Sequence, residues 1–379
     1  MVSVTYFSVD NGDMALIELD SGRKILVDVN IREAADDPED DTPDVARMLR
    51  ERLDKDSKTG HYYVDAFLLS HPDQDHCRGL ERHFHLGPPE SHPGDDKILI
   101  REMWSSPMVF RRASKNHTLC ADAKAWKKEA KRRVQHFRDD KPMESGNRIL
   151  ILGEDENGKT DDLGPILVMT DQEFRSIDGL RDSSFSARLL APMPTSDDED
   201  EEELLSKNNS SVVLRFKLSA EGNEDACRYL TGGDAEVAIW ERLWARHENR
   251  PHWLDYDLLL TPHHCSWHSL SRDSWSKLGE EAEVSPDARS ALSQARGGAY
   301  LVSSSKEILD DTNDPPCIRA KREYQTIAKE AGGRFERVAG PQPSKYTISR
   351  DGPRLKSAAA AIGASVSSGA IGRQPLPHG

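Results

Sequence analysis

The chain has 379 residues, 36% of them hydrophobic, with a mean hydropathy of −0.70 and a formal net charge of −15. It contains no run of about 18 apolar residues, so no membrane-spanning helix is expected. The acidic balance argues against tight, non-specific binding of long nucleic acid by the whole surface. The length allows two domains, and one large α/β domain with insertions fits equally well.

The amino terminus has an early Asp10 and no basic leader, so it reads as a first strand rather than a signal peptide. Strands are expected over residues 3–9, 15–19 and 24–29, then an acidic loop insertion near 35–43 and a helix over 43–53. A strand over 64–69 discharges into His71-Pro72-Asp73-Gln74-Asp75-His76, where four imidazoles and carboxylates fall within six residues. Those are the groups a divalent ion takes from a protein, and a rigid turn at a strand end fans them around one point. A plain surface turn uses the same residue types, but two further clusters follow.

A strand over 98–101 precedes a basic stretch, Arg111 to Arg138, with ten Lys or Arg. Within it a helix is expected over 121–137, burying Ala125, Trp126, Ala130, Val134 and Phe137. Its charged residues read as a solvated face, with a phosphate-binding strip as the alternative. Strands over 148–152 and 211–218 flank a second acidic insertion near 196–204. The strand over 228–231 ends in Gly232-Gly233-Asp234, and a helix is expected over 237–247. The strand over 257–260 ends in Pro262-His263-His264-Cys265-Ser266. A strand over 300–303 and a helix over 318–331 complete one domain, residues 1–355, with a flexible tail over 356–379. Early hairpins followed by alternating strands and helices suit two mixed sheets with helices outside. Five widely spaced cysteines without a CxxC pair suggest reduced thiols and a cytoplasmic location.

Taken in order, His-x-Asp-x-Asp-His at 71–76, Thr-Gly-Gly-Asp at 231–234 and Pro-His-His-x-Ser at 262–266 resemble the metallo-β-lactamase superfamily. Within it the chain looks most like the hydrolase domain of the ComEC competence proteins. Residues 7–17 resemble that branch's "DVGQGDA-LI" opening, residues 24–28 its "ILVD" strand, and residues 208–214 its "NNxSLVL" strand. The resemblance spans roughly residues 1 to 350. Cys265 departs from the usual Gly, no membrane domain is present, and no third-motif histidine can be placed.

The resemblance implies an α/β (α+β) fold, the four-layer αββα metallo-β-lactamase sandwich. It implies hydrolysis by a hydroxide held between two divalent ions, Zn or Mn. His71 and Asp73 would hold one ion; Asp75, His76 and His263 would hold the other, with Asp75 central to catalysis; Asp234 would bridge them. Asp73 in place of the commoner imidazole shifts preference from zinc towards manganese or iron. The extra ligand would come from His83, His85, His92 or His117, or from water, with His117 favoured because Trp104-Ser105-Ser106-Pro107 reads as a strand leading towards it. Asp28 would steady a ligating histidine, His264 and Ser266 would reach substrate, and His268 would protonate the leaving group. Cys265 as nucleophile is set aside, because metal-activated water suffices. A phosphodiester substrate, with nucleic acid as one such partner, is the leading expectation. Another ester or lactone is the alternative, and a non-catalytic regulatory member of a bacterial multi-gene system comes last. A β-lactamase proper is disfavoured by the missing His-x-His pattern.

Overall fold

The computed structural model describes residues 1–94, 96–107, 118–154, 158–194 and 210–356. The middle strands are buried on both faces: all of Lys24–Val27, and all of Tyr63–Leu69 except its first residue. Burial on both faces requires a layer on each side.

The first sheet has ten strands. Its path runs Gly352–Leu355, Ser344–Ser349, Val2–Tyr6, Ala15–Glu18, Lys24–Val27, Tyr63–Leu69, Ile98–Ser105, Arg148–Leu152 and Leu167–Val168, with Phe84–His85 beside Ile98–Ser105. The second has seven, in the order Glu173–Phe174, Phe185–Ala191, Val213–Ala220, Asn223–Thr231, Tyr256–Leu260, Ala295–Ser303 and Arg334–Arg337. Both are mixed, antiparallel at one end and parallel at the other. Between them, Val4, Ile17, Leu68 and Trp104 pack against Leu214, Phe216, Tyr229 and Leu258. Outside the first sheet, Phe67 and Met103 meet Trp126, Ala130 and Val134 of the helix Ala121–Arg138. Outside the second, Leu259 and Leu301 meet Trp240 and Leu243 of Val237–His247 and Ile327 of Ile318–Glu330. The layers therefore stack helix, sheet, sheet, helix: an αββα sandwich of two mixed sheets. Among the described residues no helix is long and apolar enough to cross a membrane.

Several sequence expectations need correction. The strand expected over 24–29 breaks at Asp28, whose φ of +53° turns the chain from Leu68, which its N–H still bonds, to a bridge between Val29 and Cys77. The helix expected over 43–53 is only Val45–Arg50. The strand Phe185–Ala191 was missed although Phe185-Ser186-Ala187-Arg188-Leu189 alternates apolar and polar residues. The hairpin Ser344–Ser349 and Gly352–Leu355 was missed because most of its residues are polar or partly exposed. The basic helix does not simply present its charges to solvent: Arg133 is wholly buried and donates to Glu129 at 2.7 Å. The acidic insertion near 196–204, His117 and the tail beyond residue 356 lie outside the described residues.

Glu102, on the strand Ile98–Ser105, is buried and accepts from Trp104 Nε1 at 3.0 Å and Asp178 N at 3.1 Å. Burial outweighs those donors and pushes its carboxyl up to about 7. A carboxyl raised in the folded state binds its proton more tightly there. Its contribution is therefore full below the unfolded value near 4.3 and is lost as pH rises through about 7. Glu102→Gln is expected to match the wild type at pH 3.5 and to be more stable at pH 8, by on the order of 3 kcal/mol. Thermal midpoints of both proteins across that range check this; parallel curves would contradict it.

Candidate metal centre

Three strand ends converge at one edge of the sandwich. Ser70, just past Tyr63–Leu69, donates through N and Oγ to Asp28 at 2.7 and 2.6 Å. Asp28 Oδ2 also lies 2.9 Å from His76 Nδ1, which turns His76 Nε2 inward. From the second sheet, Gly233 (φ +48°) brings Asp234 to the same point, and a Cβ there would come within 2.8 Å of Ser70 Oγ. Only glycine permits that approach. After Tyr256–Leu260, His263, His264 and Cys265 all adopt left-handed φ values of 50°, 53° and 67°. Such a run of non-glycine residues is strained and is held by its surroundings. The hairpin loop Asn11-Gly12-Asp13 closes the floor, with Asp13 N donating to Asp75 O at 3.3 Å.

The carboxylate of Asp234 divides the cluster into two halves. Its Oδ2 lies 3.3 Å from His71 Nε2 and 3.6 Å from His263 Nε2, and His71 Nε2 is 3.8 Å from Asp73 Oδ2. Its Oδ1 lies 3.0 Å from His76 Nε2 and 3.5 Å from His264 Nε2, and His264 Nε2 is 3.3 Å from Asp75 Oδ2. Asp13, His76, Asp234 and His264 each offer a ligand atom within 4.8 Å of the others. The side chains of Asp73, Asp75 and His263 are 31%, 33% and 14% exposed, against 5% or less for His71, His76, Asp234 and His264. Solvent therefore reaches the cluster past those three.

The electrostatics are those of carboxylates needing cations. Burial opposes charge on Asp234, yet His76, His264, His71 and His263 hold its carboxyl well below the usual range. Burial likewise opposes protonation of His76 and His264. Asp234 and Asp28 nonetheless raise His76 well above its usual value, and Asp234 with Asp13 and Asp75 raises His264 to about 10. Burial, helped by the nearby Asp28 charge, pushes Asp13 up against the pull of His264 and His76. Asp13 Oδ1 and Oδ2, His71 Nε2, Asp234 Oδ1 and His263 Nδ1 are buried and make no well-formed hydrogen bond. Unmet buried polar atoms are costly, and imidazole nitrogens with carboxylate oxygens are the donor set of zinc, manganese or iron. The residues fit a divalent metal.

The placement of the other expected residues is mixed. His264, expected beyond the ligands, is inside the cluster. His263, expected with Asp75 and His76, faces the Asp234 oxygen shared with His71. The left-handed turn sends the two neighbouring imidazoles to opposite oxygens. Ser266 Oγ donates to Asp314 Oδ1 at 2.6 Å, which also accepts from Trp267 N, so Ser266 builds the turn. His268 is 44% exposed on its side chain, with Nε2 3.8 Å from Asp314 Oδ2. Cys265 is fully buried, and burial pushes its thiol far up, which suits no nucleophile. His83 contacts Arg50, while His85 and His92 bond the carbonyls of Pro88 and Lys97; none joins the cluster. Two residues were missed. Asp13 carried a sequence signal, in the opening strand pair after Asn11-Gly12. Asp314 carried none beyond preceding two prolines.

Layers and cluster together define the class: an αββα sandwich with a histidine–carboxylate centre at its strand ends. No family model and no curated protein matches the chain. Among solved structures it is similar to Igni18, a novel metallo hydrolase from the hyperthermophilic archaeon Ignicoccus hospitalis. The identity is 11% and the TM-score 0.38, over 92% of this chain and 99% of that one. That likeness is loose, and the class rests on the layers and the cluster themselves.

Proposed function

We propose that the chain is a metal-dependent hydrolase of phosphodiester bonds, akin to the ComEC-like branch of the metallo-β-lactamase superfamily, working with two ions of Zn or Mn. The observation that carries this reading is the division of imidazoles and carboxylates between the two oxygens of Asp234. His71, Asp73 and His263 would hold one ion; Asp75, His76 and His264 the other; Asp234 would touch both. Ions there supply an activated water near neutral pH and offset the charge building at phosphorus. Asp28 keeps the proton of His76 on Nδ1, whereas Nδ1 of His264 accepts from Gly12 N at 3.2 Å with Asp13 Oδ1 3.4 Å away. His268, with one ring nitrogen towards Asp314, protonates the departing oxygen through the other. The exposed Lys124, Lys128 and Lys131, on the outer face of the helix Ala121–Arg138, offer phosphate contacts to a nucleic-acid substrate. The five free cysteines fit the cytoplasmic location read from the sequence.

Replacing His263 or His264 by Ala is expected to remove about one ion each, because the two imidazoles face different oxygens of Asp234. Elemental analysis of the two variants checks it; loss of the same single ion whichever is replaced would contradict it. The function itself is tested with metal-stripped protein given Mn or Zn, on nitrophenyl phosphodiesters, single- and double-stranded DNA and RNA, and carboxylic esters. Phosphodiester cleavage is expected, with manganese at least as effective as zinc. His268→Ala should lower cleavage of nucleic acid by about 10²–10⁴-fold, yet barely touch nitrophenyl esters, whose leaving group needs no proton. Brisk carboxylic-ester turnover with no phosphodiester cleavage would overturn the substrate class.

A further inference from the structure

Cys77 and Cys120 come from separate parts of the chain, yet their Sγ atoms lie 3.6 Å apart. Cys77 directly follows His76, is fully buried, and donates its thiol to Asp73 O at 3.2 Å. Cys120 is partly exposed and caps the 18-residue helix Ala121–Arg138, taking the Ala123 N–H at 3.4 Å. It also lines a cavity of about 690 Å³ with Ile31, Arg32, Arg78, Arg82 and Gln74, which lies in the ligand turn itself. One thiol is thus reachable from a cavity, and its partner is locked behind it against two members of the metal cluster.

We propose that this pair is a reversible thiol-oxidation site, in which hydrogen peroxide entering the cavity oxidises Cys120 and Cys77 closes a disulfide that disturbs the ligand turn. The Cys120 thiolate sulfur attacks one peroxide oxygen; the O–O bond breaks, and hydroxide leaves to become water. The sulfenic acid so formed is attacked by the Cys77 sulfur. The S–S bond forms, the S–O bond breaks, and a second water leaves with the Cys77 proton. Two thiols lose two electrons and one peroxide gains them. The Ala123 N–H that Cys120 Sγ accepts, at the N-terminus of the helix, favours the reactive thiolate. Closure must bring the sulfurs from 3.6 Å to about 2.05 Å and removes the donor that Asp73 O accepts. The backbone that carries His76 is the segment that must move. The existence of the disulfide is independent of the hydrolase reading; its effect on turnover rests on it.

The test exposes metal-replete protein to a few equivalents of hydrogen peroxide. Peptide mass spectrometry then follows the linkage, elemental analysis the ions, and turnover of a nitrophenyl phosphodiester the rate. A Cys77–Cys120 linked peptide is expected, with loss of about one ion and a fall in rate of about tenfold or more, all reversed by dithiothreitol. Cys120→Ser should form no linked peptide and keep its ions and rate under peroxide, while Cys227→Ser should behave as the wild type. Absence of the linked peptide would overturn the site. A linked peptide with unchanged ions would overturn its coupling to the centre. Both readouts are made without substrate, so a failure of the hydrolase reading cannot be mistaken for either.

Discussion

Asp234→Ala is expected to strip both ions and to lower hydrolysis by well over a hundredfold. The argument is geometric. Among the described residues Asp234 is the one carboxylate that touches four imidazoles, two on each oxygen, and it is nearly sealed from water. Removing a residue that only supports a ligand already costs about 10–100-fold in metal affinity or activity. Removing the group common to both halves must cost more. It also leaves His71, His76, His263 and His264 crowded without the anion that draws them together. Elemental analysis and turnover of the variant check this. A variant that keeps both ions would show that Asp234 only packs.

Arg133→Ala is expected to destabilise the protein by about 3–5 kcal/mol without changing its metal content, because it breaks a buried ion pair by removing one partner. Arg133 donates to Glu129 Oε1 at 2.7 Å, to Arg148 O at 2.9 Å and to Ile100 O at 3.0 Å, and is completely buried. The change leaves Glu129, itself 3% exposed, with Arg132 as its remaining cation. It also removes the donor that the carbonyls of Ile100 and Arg148 accept beneath the helix. Lys128→Ala on the exposed face of the same helix should move stability by no more than about 0.5 kcal/mol. Thermal denaturation of the two variants side by side tests the contrast, and equal midpoints would sink it.

What could be read in the sequence was what is local. Leu68-Leu69 before His71, Leu230-Thr231 before Asp234 and Leu260-Thr261 before His263 each place an apolar run next to a ligand-rich turn. The strand and the turn are then written in the same ten residues. The αββα layers followed from the order of those runs together with the family resemblance. What escaped depends on tertiary contacts. The sides taken by His263 and His264 are set by three successive left-handed residues, which no propensity favours outside glycine. Asp314 reaches Ser266 across 48 positions of sequence. Arg133 reads as one more cation on a basic helix until the strands beneath it supply carbonyls and Glu129 supplies the charge.

The central claim is that the two oxygens of Asp234 organise a two-ion centre, and the most direct measurement is elemental analysis of freshly purified protein. The account predicts about two divalent ions per chain, among zinc, manganese and iron, falling towards none in Asp234→Ala. Less than about a tenth of an ion per chain, with none taken up from added Mn or Zn, would contradict it.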